Sequence, residues 1–210
     1  MTTKAARRAE QVRREHLSEI RRAQAVRERR RRQVRFAAWT VAVVVLAFGI
    51  SVMMLTSRPE SSSAARPAPD FNLTDTVGRE VHLADLRGQN VLLYFSEGAG
   101  CQSCLVQMAE IERSSQFKKS DLVVLPIVMN SREQIMKDMA ANGVRTPFLL
   151  DDGTVSQAYG TLGKGMHAGL PGHSFVLIDA AGIQRWYGEY PSMWLSPADL
   201  MTEVRRHLDT

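Results

Sequence analysis

The sequence predicts an α/β domain, a mixed central sheet flanked by helices, preceded by a single transmembrane helix and a basic N-terminal tail. Three observations carry this reading. Residues 36–56 form a run of 21 residues without a charge. The apolar stretch Val91, Leu92, Leu93, Tyr94 and Phe95 leads into a helix-patterned segment and then into a second apolar stretch at 122–129, the order strand, helix, strand. The chain's only two cysteines, Cys101 and Cys104, stand where the first strand hands over to the helix.

The tail comes first. Residues 1–35 hold thirteen Lys or Arg against four Glu, a charge of +9, whereas the whole chain carries +5. The remainder is therefore near −4, and the basic character belongs to the tail alone. Glu10 with Arg14 and Glu28 with Arg32 are spaced for one face of a solvated helix. The uncharged run at 36–56 is long enough for a hydrocarbon core of ~30 Å. Positive charge ahead of it places the N-terminus in the cytoplasm and the following domain outside the membrane. Membrane lipid is the partner this segment implies. Topology accounts for the arginines, so no nucleic acid partner is expected. An uncleaved anchor is expected over a signal peptide, because the charged region and apolar run exceed signal-peptide lengths, the latter ~7–15 residues. The small residues at 61–65 keep a cleavage site open.

Residues 57–69 are rich in Ser, Ala and Pro without apolar periodicity, and read as a flexible or partly extended linker. The folded domain is expected at 70–209, enough chain for one core. Within it, 80–86 reads as a short strand and turn. The run at 91–95 is apolar throughout, as in a strand buried on both faces. From Cys101, the residues Leu105, Met108 and Ile111 make a helical stripe, with Glu110 and Glu112 turned outward. The strand at 122–129 should lie parallel to the first through a right-handed crossover. Pro126 interrupts it, and a bulge or early strand end is expected there. Ser131 with Gln134 is a capping-box pattern, and Asn142-Gly143 a helix stop. Strands at 174–178 and 183–187 flank the turn Asp179-Ala180-Ala181-Gly182. A last helix begins at Ser196 and Pro197, buries Leu200, Val204 and Leu208, and ends with Arg205 and Arg206.

The C-x-x-C pair carries the chemistry. A cysteine at a helix N-terminus is favoured as thiolate, which makes Cys101 the nucleophile and Cys104 its resolver. The competing readings are a zinc half-site, a structural bridge and two plain buried thiols. Zinc needs two further ligands from His82, His167, His173 and His207, none of which forms a second close pair. A bridge across so short a loop stabilises little. Redox exchange leads, with no cofactor and no metal site assigned.

The motifs carry a family resemblance. Ala68-Pro69-Asp70-Phe71-Asn72-Leu73-Thr74-Asp75, Gly78, Leu83-Ala84-Asp85-Leu86-Arg87-Gly88, Phe148-Leu149-Leu150-Asp151-Asp152-Gly153, Ala158-Tyr159-Gly160, and Phe175-Val176-Leu177-Ile178-Asp179 with Gly182 occur in the order of the redoxin and thiol-specific antioxidant (AhpC/TSA-like) branch of the thioredoxin superfamily. From residue 68 to the end, the chain resembles that branch. With its anchor, it resembles the membrane-tethered thiol-disulfide oxidoreductases that keep extracytoplasmic thiols reduced. The resemblance implies a thioredoxin-like fold, a protein disulfide as substrate and an integral membrane thiol carrier as electron donor.

The departures from the family matter. Glu97-Gly98-Ala99-Gly100 lacks the tryptophan usual before the first cysteine, and Gln102-Ser103 replaces the common Gly-Pro. Gly172 stands where relatives place a cis-proline facing the cysteines, with Pro171 one residue earlier. The candidate substrate groove is therefore Pro171, Gly172 and His173. Two rivals remain. Peroxiredoxins resemble P-x-x-x-T-x-x-C, but Tyr94 and Gly98 hold the first two marked positions and Gly172 the place of the activating arginine. Thioredoxin-like copper chaperones resemble C-x-x-x-C, one residue longer, although Met166, His167, His173 and Met193 recommend the comparison. Glu97 reads as an exposed loop carboxylate or as a group assisting proton movement between the sulfurs. Trp186, Tyr187 and Trp194 line the groove or pack.

Overall fold

The computed structural model describes residues 31–52, 59–164 and 167–209. Most of the basic tail, residues 53–58 and Met166 lie outside them, and with them the expectations placed there. Contacts divide the chain near residue 55 into two units.

The first unit is helix α1, Arg31–Val52, 22 residues. At ~1.5 Å per residue it extends about 33 Å, long and apolar enough to cross a membrane. Its described residues include Arg31, Arg32 and Arg35 ahead of the uncharged run. Its two hydroxyl side chains are satisfied internally: the Thr40 hydroxyl donates to the Phe36 carbonyl and the Ser51 hydroxyl to that of Ala47. A helix in lipid requires this, because hydrocarbon offers no partner. Phe36 and Trp39 are exposed near its arginine end.

Among its described residues the second unit holds nine strands: β1 (Glu60–Ser62), β2 (Arg66–Pro67), β3 (Asn72–Asp75), β4 (Glu80–His82), β5 (Val91–Phe95), β6 (Val123–Val128), β7 (Leu149–Leu150), β8 (Ser174–Ile178) and β9 (Ile183–Glu189). Its helices are α2 (Gln102–Arg113), α3 (Ser115–Lys118), α4 (Arg132–Asn142), α5 (Thr154–Ala158) and α6 (Pro197–Leu208). The sheet runs β1-β9-β8-β5-β6-β7-β3-β4, with β2 also on β9. As expected, β5 and β6 are parallel across α2, and β8 and β9 form an antiparallel hairpin.

The apolar run of β5 reflects burial on both faces. Leu92 and Tyr94 join Leu105, Met108, Ile111, Ile135, Leu200 and Val204 under α2, α4 and α6. Val91, Leu93 and Phe95 face the opposite side with Phe71, Leu83, Val155 and Tyr159. The caps are as predicted: a complete capping box at Ser131 and Gln134, Gly143 at φ 68°, and Ser196 accepting from the Asp199 N–H.

Two expectations are corrected. Pro126 neither bulges nor ends its strand, since the β5–β6 register continues through Tyr94↔Pro126 to Phe95↔Ile127. The Val123 N–H donates to the Asn90 carbonyl on the β5 side. By alternation, the nitrogen of Pro126 faces the other way, where pairing with β7 begins only at Ile127. The missing donor breaks no ladder. In the stretch read as a flexible or partly extended linker, β1 and β2 pair antiparallel with β9. Main-chain hydrogen bonds to an open sheet edge need no apolar pattern, so composition did not reveal them.

Candidate active site

Cys101 is the N-cap of α2, and its sulfur accepts the Cys104 N–H at 3.3 Å. The two cysteines are joined by a disulfide with their Cα atoms 5.3 Å apart. Cys101 is half-buried, whereas Cys104 is 1% exposed in the core. Only the first sulfur is positioned for an incoming group.

The loop leading to Cys101 is held by side chains that follow β6. Asn130 Oδ1 accepts the Ala99 N–H and Asp138 Oδ2 the Gly100 N–H, both at 2.8 Å. Asn142 Oδ1 accepts from Gln102 Nε2, while its own Nδ2 donates to the Asp138 carbonyl. Gly98 adopts φ 72°, and a Cβ there would lie 2.0 Å from Asn130 Oδ1 and 2.7 Å from a Val128 methyl carbon. The loop therefore packs against the end of β6 only because residue 98 has no side chain. Sequence reasoning missed Asn130, Asp138 and Asn142. Asp138 and Asn142 are one turn apart on a predicted helix, but no local pattern says that this face meets the cysteine loop.

Glu97 is not an exposed carboxylate. It is 3% exposed, accepting the His167 N–H at 3.1 Å and pairing with His167 Nδ1 at 2.8 Å. Two donors on one residue compensate its burial.

Pro171, Gly172 and His173 are buried, and none of the described peptide bonds is cis. Leu162 bridges to Pro171, and Gly172 donates to the Thr161 carbonyl. His173 turns into the core, where its Nδ1 lies 3.2 Å from the Tyr94 hydroxyl. That hydroxyl donates to the Cys104 carbonyl, also at 3.2 Å. With the Tyr94 proton directed there, His173 carries its own on Nδ1 and donates to Tyr94. Its Nε2 is then a buried acceptor without a partner. Burial lowers the His173 pKa to about 3 and pushes that of Tyr94 well above 10. Both are neutral near pH 7, and His173 reaches the cysteines through Tyr94 rather than across a groove surface.

Trp186 is buried and stacked on His207, whereas Trp194 is 41% exposed. Among the described residues, no group of three His, Cys, Asp or Glu is gathered for a metal ion. His167 and His173 are engaged with Glu97 and Tyr94. Two clefts, of about 500 and 430 Å³, lie beside Arg66, Tyr159 and Lys164 and between α3 and α6. Neither is lined by a cysteine, so the disulfide lies outside both.

Comparisons with known proteins bear on the family and the fold. The AhpC/TSA family profile matches residues 64–187. The thiol-disulfide oxidoreductase ResA of Bacillus subtilis (strain 168) is 29% identical over 137 residues, covering 64% of this chain and 75% of ResA. Peroxiredoxin Bcp of Escherichia coli (strain K12) is 32% identical over 122 residues, covering 55% of this chain and 78% of Bcp. The chain spans 63% of the length of a Mycobacterium tuberculosis relative with a provisional peroxiredoxin name, at 33% identity and covering 46% of this chain. Among solved structures, the reduced 2-Cys peroxiredoxin of Plasmodium vivax superposes with a TM-score of 0.60 at 20% identity, covering 69% of this chain and 96% of that one. AhpC of Enterococcus faecalis gives 0.59 at 14%, covering 69% and 92%. At these identities the structures show the thioredoxin-like fold alone.

Proposed function

The chain belongs to the AhpC/TSA family, and from that premise we propose that it is a thiol-disulfide oxidoreductase that reduces protein disulfides through Cys101 and Cys104. The observation that carries the proposal is the asymmetry of the pair. Cys101 is the accessible sulfur at a helix N-terminus, and Cys104 is buried one turn behind it. In the reduced protein the Cys101 thiolate attacks one sulfur of a substrate disulfide and expels the other as a thiolate, which takes up a proton. Cys104, losing its proton, then attacks Cys101 Sγ and expels the second substrate thiol. Two electrons pass to the substrate, and the Cys101–Cys104 disulfide remains. Cys101, the half-buried sulfur of the pair, is the one we propose is offered to the substrate.

We place this chemistry outside the cytoplasm. The proposed organisation is a cytoplasmic tail at 1–35, a span at 36–56, a linker from 57 whose strands β1 and β2 border the sheet, and the redox domain to 209. The length of α1 and the arginines before it support the topology. The electron donor is then an integral membrane thiol carrier.

Replacing Cys104 by Ser removes the resolving step. Cys104→Ser accumulates covalent substrate adducts that a reductant releases, and Cys101→Ser accumulates none. If neither variant traps protein, the exchange mechanism is wrong. A peroxidase reading has the Bcp similarity in its favour. There Cys101 would take one oxygen from a peroxide as sulfenic acid, and Cys104 would condense with it to the same disulfide, releasing water. Against it, Gly98 and Gly172 occupy the peroxiredoxin threonine and arginine places.

A further inference from the structure

Three N–H groups leading into Cys101 are already engaged. Ala99 donates to Asn130 Oδ1, Gly100 to Asp138 Oδ2, and Cys101 to the Gly98 carbonyl. The Cys104 N–H alone reaches the sulfur, and it is shared with the Cys101 carbonyl. No Lys, Arg or His stands in the first turn of α2, whose only basic residue is Arg113 in the last turn. Two carboxylates lie nearby. Glu97 is hydrogen-bonded by the backbone N–H and ring of His167. Asp138, one residue from Cys101 through the Gly100 N–H, pairs with no cation among the described residues. Its position is firm, because α4 is capped at both ends and Asn142, a turn later, is tied to Gln102.

We infer that Asp138 is a positioning residue whose charge opposes ionisation of Cys101 and so biases the Cys101/Cys104 couple toward giving up electrons. The warrant is electrostatic. A like charge beside a thiol disfavours its thiolate. A couple whose reduced form is stabilised, as by a favoured thiolate, is a stronger oxidant, and the reverse arrangement makes a reductant. Asp138 thus acts in two ways: its oxygen orders the loop by accepting Gly100 N–H, and its charge sets the direction of exchange. The second role rests on the exchange function proposed above.

Asp138→Asn separates them, since the amide oxygen still accepts Gly100 N–H while the charge is gone. In the full-length protein, the equilibrium constant against glutathione and the pH dependence of Cys101 alkylation by iodoacetamide are measured together. Asp138→Asn is expected to shift the equilibrium at least about threefold toward the reduced protein and move alkylation to lower pH, a modest Coulomb effect at partial exposure. Asp138→Glu restores the native values. The wild-type chain supplies the same test without substitution, because raising salt from about 0.01 to 1 M shortens the screening length from ~30 to ~3 Å and shifts its equilibrium the same way. A role confined to loop order predicts no change in Asp138→Asn and no salt dependence, and that result overturns the inference. A wild-type protein with no reversible couple overturns the exchange function itself, a failure distinct from an unresponsive variant.

Discussion

At the residue scale, the buried pair Tyr94 and His173 links the site to stability. His173 prefers the neutral form when folded, with a pKa of about 3 against an ordinary 6.5, because burial penalises the imidazolium. The unfolded chain therefore binds a proton that the folded chain refuses between those values. Its contribution is fully present above about pH 6.5 and is lost as pH falls toward 3, at up to about 1.4 kcal/mol per pH unit. Urea midpoints of wild type and His173→Gln, measured from pH 7.5 to 4, should show a shallower loss in the variant. Equal slopes would mean that His173 is not held neutral. The cysteines were legible as a reactive pair because their spacing and place after an apolar strand are local facts. The buried state of Glu97 and the inward turn of His173 were not, since each depends on a partner about 70 to 80 residues away in sequence.

At the element scale, helices announced themselves through caps and strands through apolar runs, so β5, α2, α4, β8, β9 and α6 were readable. The elements that escaped are short: β3, β7, α3 and α5 have between two and five residues each, too few for a period. Strands β1 and β2 escaped because backbone pairing carried them. They are joined to β9 by a ladder and by two side-chain bonds, Arg66 Nε to Gln184 Oε1 and Trp186 Nε1 to Ser61 Oγ. Starting the domain at residue 68 instead of 59 leaves the Trp186 N–H without Ser61 and opens the β9 edge. The shorter domain should be less stable by about 1–3 kcal/mol in urea unfolding, the cost of a few unmade hydrogen bonds. An unchanged midpoint would show that these strands rest on the sheet without holding it.

At the scale of the whole molecule, charge and hydropathy divide the chain into a basic, apolar leading part and an acidic domain, and contacts divide it near residue 55. The family and fold were legible from ordered motifs along residues 68–182. The chemistry that distinguishes this member was not, because its Glu97-Gly98-Ala99-Gly100 loop is read by Asn130, Asp138 and His167, residues from two other parts of the chain. The central claim is that Cys101 and Cys104 form a reversible, electron-donating couple. Its most direct test is the midpoint potential of the purified protein in graded thiol-disulfide buffers, with peroxide consumption followed in parallel. A two-electron transition near or below about −200 mV, without peroxide turnover, is the expected result. A pair that stays oxidised at every accessible potential, or one that turns over peroxide rapidly, would contradict it.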